Sequence, residues 1–256
     1  MAERQTPHGL VERNLQKHLL AVQLTKECIE DELSVDGAKN LEIFRELNAS
    51  GKLCAIVSNH LSNSDAPTMD YTLRREGYSD LADKLVFILG IRLIDDEVNR
   101  ERINSYSYIT VWPPKVIPAN NYEAREARAM NVHAAKSSID IMRKGYILGL
   151  FPEAERSDEG QLKPVDPRTI ALFLLRLADT HVMPWSQWGT EDVWPISEQQ
   201  FRKGKVSVSI GEPFSIDSLR DEFSNLSPVE MNEAITERIM RTVAMPLPER
   251  YKGYYG

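Results

Sequence analysis

The chain has 256 residues, of which 42% are hydrophobic and 27% charged, with a formal net charge of -7. This balance excludes a disordered, collagen-like or coiled-coil chain, and folding at this size buries roughly 70–75% of the surface, so the core needs no covalent staples. The acidic charge argues against a sequence-independent nucleic-acid binder and against purely electrostatic adhesion to anionic lipid.

The two cysteines, Cys28 and Cys54, read as small buried hydrophobes, with no disulfide framework or zinc site and a reducing compartment implied. The longest apolar stretches, Leu85–Leu89 and Ile170–Leu175, fall far short of the ~20 residues a bilayer requires. Glu3, Pro7 and His8 stand where a secretory signal would be basic and then apolar. The expectation is a soluble chain, or one attached to membranes only at their surface.

Leu10 to Asn48 reads as helical: Leu15, Leu19, Val22 and Ile29 keep approximate helical spacing, and a second pattern runs Leu41, Ile43, Phe44 and Leu47 beyond a break at Asp36-Gly37. Its apolar stripe is expected to pack on the main domain, because the polar face carries Glu27, Glu30, Asp31 and Glu32 rather than lysines. After Gly51 come short, continuous apolar runs at Leu53–Val57, Leu85–Leu89, Ile109–Trp112, Tyr146–Phe151 and His181–Trp185, the mark of strands buried on both faces. Between them lie helical stretches at Ala66–Arg75, Tyr122–Lys144 and Pro167–Ala178, the last opened by Asp166-Pro167 as cap and first helical residue. Val206, Val208 and Ile210 alternate with serines, as in a half-exposed edge strand. Ser227 and Glu230 form a capping box that opens a closing helix through about Val243. Strands alternating with helices imply an α/β fold with a mostly parallel central sheet flanked by helices, at residues 51–256, preceded by an N-terminal helical segment at residues 1–50.

Polar residues gather after two of the buried strands, where ligand and catalytic groups collect in open α/β sheets. Directly after the first lies Ser58-Asn59-His60-Leu61-Ser62-Asn63-Ser64-Asp65. Asp65 falls in the first turn of the next helix, and a tight turn brings its carboxylate back to one imidazole nitrogen of His60, leaving the other as a base. A chain of this composition contains about 0.3 such pairs by chance, so a helix-capping Asp65 beside an unrelated histidine competes with this reading. The second group, Phe151-Pro152-Glu153-Ala154-Glu155-Arg156-Ser157, is more specific, since Phe-Pro-Glu-x-x-Arg is a roughly 0.002 event. The planar guanidinium of Arg156 suits a phosphate; a surface Glu153–Arg156 pair is the plainer alternative.

In this order, the two motifs resemble those of the glycerol-3-phosphate and lysophosphatidate acyltransferase family, N-H-x-x-x-x-D followed by F-P-E-G-T-R-S. The first is matched in full by Asn59, His60 and Asp65, whereas the second carries Ala154 for Gly and Glu155 for Thr. Val182-Met183-Pro184-Trp185 with Gly189-Thr190 matches a further block, and Leu247 to Tyr255 is similar to the family's ending. The resemblance implies transfer of an acyl chain from a coenzyme A or acyl-carrier-protein thioester to a glycerol-phosphate hydroxyl, in phospholipid biosynthesis. It makes His60 the base, Asp65 its orienting partner, Arg156 the phosphate-binding arginine and Glu153 the residue that shapes that loop. Lys115 stands where another family block ends in an arginine, and is the second expected phosphate ligand. Lysine loses the bidentate fork of arginine, and Glu155 adds negative charge, so Glu155 is expected to face solvent.

The residues support that mechanism on their own terms. The chain has no G-x-S-x-G elbow, so His60 most simply activates the acceptor alcohol directly. Backbone N–H groups at the helix start after Asp65 are the expected oxyanion donors. No cofactor or metal is expected, because thiolate leaves easily. The implied setting is the cytoplasm or a plastid stroma, with peripheral membrane contact allowed. Two other functions stay open: a thioester or lipid hydrolase that uses the same His60–Asp65 pair on water, and a non-catalytic lipid-binding protein whose altered second motif no longer supports turnover.

Overall fold

The computed structural model describes residues 9–95, 102–113, 116–157, 160–195 and 201–256. Among these, nine strands form one sheet: β1 (Leu10–Val11), β2 (Leu33–Asp36), β3 (Leu53–Ser58), β4 (Leu85–Gly90), β5 (Ser107–Val111), β6 (Ile147–Leu150), β7 (Thr180–Trp188), β8 (Val206–Ile210) and β9 (Phe214–Ser215). The order is β1-β5-β4-β6-β3-β7-β8-β2, with β9 also on β7. The five central strands, β5 to β7, are mutually parallel, while β1, β8 and β9 run antiparallel to their neighbours in that core. The helices of seven or more residues are α1 (Leu15–Ile29), α2 (Asn40–Ala49), α3 (Asp65–Arg75), α4 (Asn121–Arg143), α5 (Pro167–Phe173), α6 (Ile216–Glu222) and α7 (Pro228–Ala244).

Helices on both faces explain the unbroken apolar strands. In β3, Ala55 and Val57 face a core shared with Ile141 and Met142 of α4, Ile170 of α5, and Ile235, Ile239 and Val243 of α7. Cys54 and Ile56 face the other core, with Leu41 and Phe44 of α2 and Met69 and Leu73 of α3. The α/β architecture is therefore as expected from the alternation of strand and helix. The helix starts also follow their caps: Asp166 accepts from the Arg168 N–H, and Ser227 and Glu230 close a reciprocal capping box. Cys54 is buried, whereas Cys28 is only half-buried; neither is in a disulfide.

Four local expectations are corrected. Leu33–Asp36, expected within a helical stretch, is strand β2, paired in parallel with β8; Leu33 and Val35 supply its period of two. The Val206–Ile210 strand is consequently not an edge, because β2 covers it. Helix α5 ends at Phe173 rather than Ala178, and the carbonyls of Leu175 and Leu177 accept from the Arg220 guanidinium instead of continuing a helix. The largest correction is the rotation of α1: Leu15 and Leu19 are 61% and 60% exposed, while His18, Thr25 and Ile29 are buried. His18 decides that rotation, since its Nδ1–H donates to the Ser105 carbonyl (2.9 Å) and its Nε2 accepts from Arg74 of α3 (3.0 Å). Burial holds this imidazole below its ordinary pKa, in the neutral form these two bonds require. Among the described residues, no helix is long and apolar enough to cross a membrane.

Candidate active site

The site forms at the carboxyl ends of β3, β6 and β7, three adjacent parallel strands. Residues 59–64 link β3 to α3 through a turn whose polar groups are almost all engaged. Asn59 locks that turn to β7: its Nδ2 donates to the Gln187 carbonyl (2.8 Å) and its Oδ1 accepts from the Gln187 N–H (2.9 Å). The Ser62 and Ser64 hydroxyls both donate to the Thr190 carbonyl, at 2.9 and 2.8 Å.

Asp65 opens α3 and is fully buried. Its Oδ2 accepts from His60 Nδ1 (2.7 Å) and from the backbone N–H groups of Leu61 (2.7 Å) and Ser62 (2.9 Å). Its Oδ1 accepts from the Thr190 hydroxyl at 2.6 Å. At the N-terminus of α3, Asp65 thus accepts from four donors through its two oxygens. It is therefore both a helix-start residue and the partner of His60, which resolves the competition between those two readings. Because a carboxylate only accepts, Nδ1 carries the proton and Nε2 presents a lone pair. The His60 ring is one-fifth exposed, stacked on Phe151 at 4.7 Å between centroids and 27° between planes. Phe151 in turn stacks on Phe87, and Gly149 makes room for Phe87, whose ring lies where a Cβ would stand (2.6 Å).

The second motif grips the backbone of His60 from the other side. The Glu153 Oε1 accepts from the His60 N–H (2.8 Å), and the His60 carbonyl accepts from the Ser157 N–H (3.1 Å). The Glu153 Oε2 accepts from the Lys163 N–H at 3.2 Å. Burial raises the Glu153 carboxyl to about 7, against the pull of those two N–H groups. Glu155 is exposed and paired with Lys163 at 3.3 Å, as its charge required. Ala154 holds a left-handed backbone, φ 60°, a conformation that glycine, the residue at this place in the motif it resembles, adopts without strain. Arg156 is half-buried one residue from the Ser157 contact but does not line the cavity described next, and Lys115 lies outside the described residues.

His60 faces a cavity of about 620 Å³. Its walls are mainly apolar, including Phe87, Leu89, Leu150, Phe151, Leu172 and Trp194. Among the described residues, the charged side chains that line it are Arg102, Arg128, Arg168 and Arg176, with no aspartate or glutamate, in a chain that carries more acids than bases. The shape and lining suit an amphiphile with a long apolar part and a negative group. Among the described residues no three His, Cys, Asp or Glu side chains converge as a metal-ligand set. The roles of Thr190, Ser62, Ser64 and Phe151 had no sequence signal beyond membership of the quoted motifs, since each acts across a long sequence separation.

A family model described as Acyltransferase matches residues 36–188. Among solved structures, the fold is similar to that of the 1-acyl-sn-glycerophosphate (LPA) acyltransferase PlsC from Thermotoga maritima, with a TM-score of 0.55 and 21% identity over 90% of this chain and 79% of that one. No curated protein matches the chain.

Proposed function

This chain belongs to the acyltransferase family, and on that footing we propose that it moves a fatty acyl group from a thioester donor, acyl-CoA or acyl carrier protein, to a hydroxyl of a glycerol-phosphate acceptor. The observation that carries this reading is the His60–Asp65 pair, with Nδ1 committed at 2.7 Å to a buried carboxylate and Nε2 left to serve the apolar cavity. In the proposed reaction Nε2 takes the acceptor's hydroxyl proton as its oxygen attacks the thioester carbonyl carbon. The resulting oxyanion is assigned to the N–H of Ala66, the second residue of α3 and a cavity-lining position. Collapse breaks the carbon–sulfur bond, and the proton on His60 passes to the departing thiolate. Arg156 is assigned to the acceptor phosphate, from a loop already bonded to His60 through Glu153 and Ser157.

The test is a panel of acyl-CoA and acyl-carrier-protein donors, with glycerol 3-phosphate, lysophosphatidate, monoacylglycerol and water as acceptors. Acyl transfer to a phosphate-bearing acceptor is expected, lost by roughly 10²–10⁴-fold in His60→Ala with the thermal transition retained. Donor cleavage that needs no alcohol would indicate a hydrolase, and near-normal turnover of His60→Ala at saturation would remove the base assignment.

A further inference from the structure

The closing segment of the chain touches no reacting group, yet it contacts the supports of both members of the His60–Asp65 pair. Tyr251 lies in a single helical turn, Glu249–Lys252, and is buried. Its carbonyl accepts from the Leu162 N–H (2.9 Å), and the Leu162 carbonyl accepts from the Tyr254 N–H (3.0 Å). The Tyr255 hydroxyl accepts from the Val165 N–H at 2.9 Å. Gly253 makes this approach feasible, because a Cβ there would meet the Leu162 carbonyl oxygen at 2.3 Å. These bonds hold the stretch next to Lys163, whose N–H binds the same Glu153 carboxylate that holds the His60 N–H. The Tyr251 side chain reaches the other way: its hydroxyl donates to Glu191 Oε1 at 2.5 Å. Glu191 follows Thr190, whose hydroxyl holds Asp65 and whose carbonyl takes Ser62 and Ser64. The other Glu191 oxygen is buried without a hydrogen-bond partner among the described residues, so Tyr251 is what keeps that carboxylate in place.

We propose that Tyr251 is a positioning residue for acyl transfer, joining through its carbonyl the loop that fixes the His60 backbone and through its hydroxyl the turn that fixes Asp65. The proposal rests on the assignment of His60 as the base. It places no new group on the substrate. What it adds is that the geometry of the pair is set by a third, remote element.

Tyr251→Phe keeps the ring and the backbone bonds and removes the proton donated to Glu191, together with the hydroxyl oxygen that accepts from the exposed Arg250 guanidinium (2.6 Å), a surface bond that water replaces. Its kcat is expected to fall roughly three- to tenfold, the range of one lost hydrogen bond, with both KM values within about twofold. Glu191→Ala should lose as much, and Glu191→Gln, whose amide oxygen still accepts the phenol proton, should recover most of it. Because the two groups act as one link, the double variant Tyr251→Phe with Glu191→Ala should be no worse than the poorer single variant. An unchanged kcat in Tyr251→Phe, a rise in KM alone, or losses that multiply in the double variant would overturn the link. If Tyr251→Phe fails to fold, Glu191→Ala and Glu191→Gln carry the test. The His60 Nδ1 proton resonance supplies a readout without turnover: it should move in Tyr251→Phe, and an unmoved resonance would sink the proposal. Failure of the base assignment is read separately, as retained activity in His60→Ala.

Discussion

The two loops that leave β3 and β6 meet at His60 but are built to opposite specifications. In the first, Asp65 serves four donors, Asn59 is engaged through both its amide atoms, and Ser62 and Ser64 share the Thr190 carbonyl. In the second, the anchors are Glu153 and Ser157, while Ala154 sits in a left-handed conformation and Glu155 lies at the surface. The proton transfer proposed for His60 and Asp65 would tolerate little misplacement, and most polar groups of their loop are bonded within the protein. The phosphate role proposed for the second loop needs a cation, and its candidate, Arg156, is half-buried.

The sharpest way to break this contrast is Asp65→Asn. One amide oxygen cannot serve four donors, and the amide favours the wrong imidazole tautomer. Turnover should fall by about 10²-fold or more, and unfolding free energy by about 1–3 kcal/mol. Acyl-transfer rates and denaturant melts measure the two effects; kinetics indistinguishable from the parent would reduce Asp65 to a helix cap.

Glu153 tests the anchor of the second loop through pH. Its folded pKa of about 7 lies above the ordinary 4.5, so the folded state binds the proton more tightly than the unfolded chain does. Stability from this group is therefore full below about pH 4.5 and is lost as pH rises through about 7. Compared with Glu153→Gln, the parent should lose up to about 3 kcal/mol between pH 4.5 and 8. Parallel stability curves for the two proteins would show that burial does not raise this carboxyl.

Arg156→Ala should lower kcat/KM for a phosphate-bearing acceptor about tenfold, the cost of one charge-assisted contact at a half-buried site. The donor's KM should stay within about twofold. Equal weakening toward monoacylglycerol would show that Arg156 does not read the phosphate. The smallest effect is expected from Ala154→Gly, which relieves the left-handed backbone. It should stabilise the fold by about 0.5–1 kcal/mol and raise Tm by about 1–3 °C. A lower Tm would indicate that the Ala154 methyl contributes packing worth more than its strain.

The local signals were legible wherever the physics is local. The apolar runs marked β3, β4 and β6 because helices cover both faces of the central sheet, and Asp166 and Ser227 marked helix starts because a cap binds N–H groups two or three residues away. His60 and Asp65 were legible as a pair for the same reason, since one tight turn joins them. The rotation of α1 was not, because a leucine stripe signals burial only on average, and here a single buried imidazole bonded to Ser105 and Arg74 overrides it.

The sequence by itself determined the α/β class, the two motifs and the pairing of His60 with Asp65, all consequences of spacing within a few residues. Tertiary structure decided which further groups hold that pair: Thr190 from the end of β7, Glu153 and Ser157 from the loop after β6, and Phe151 beneath the ring. It also decided that the helical stretch near residue 34 yields a strand for β8. These contacts join residues far apart in the chain, and their partners are chosen by sheet order and helix packing, which no local pattern encodes.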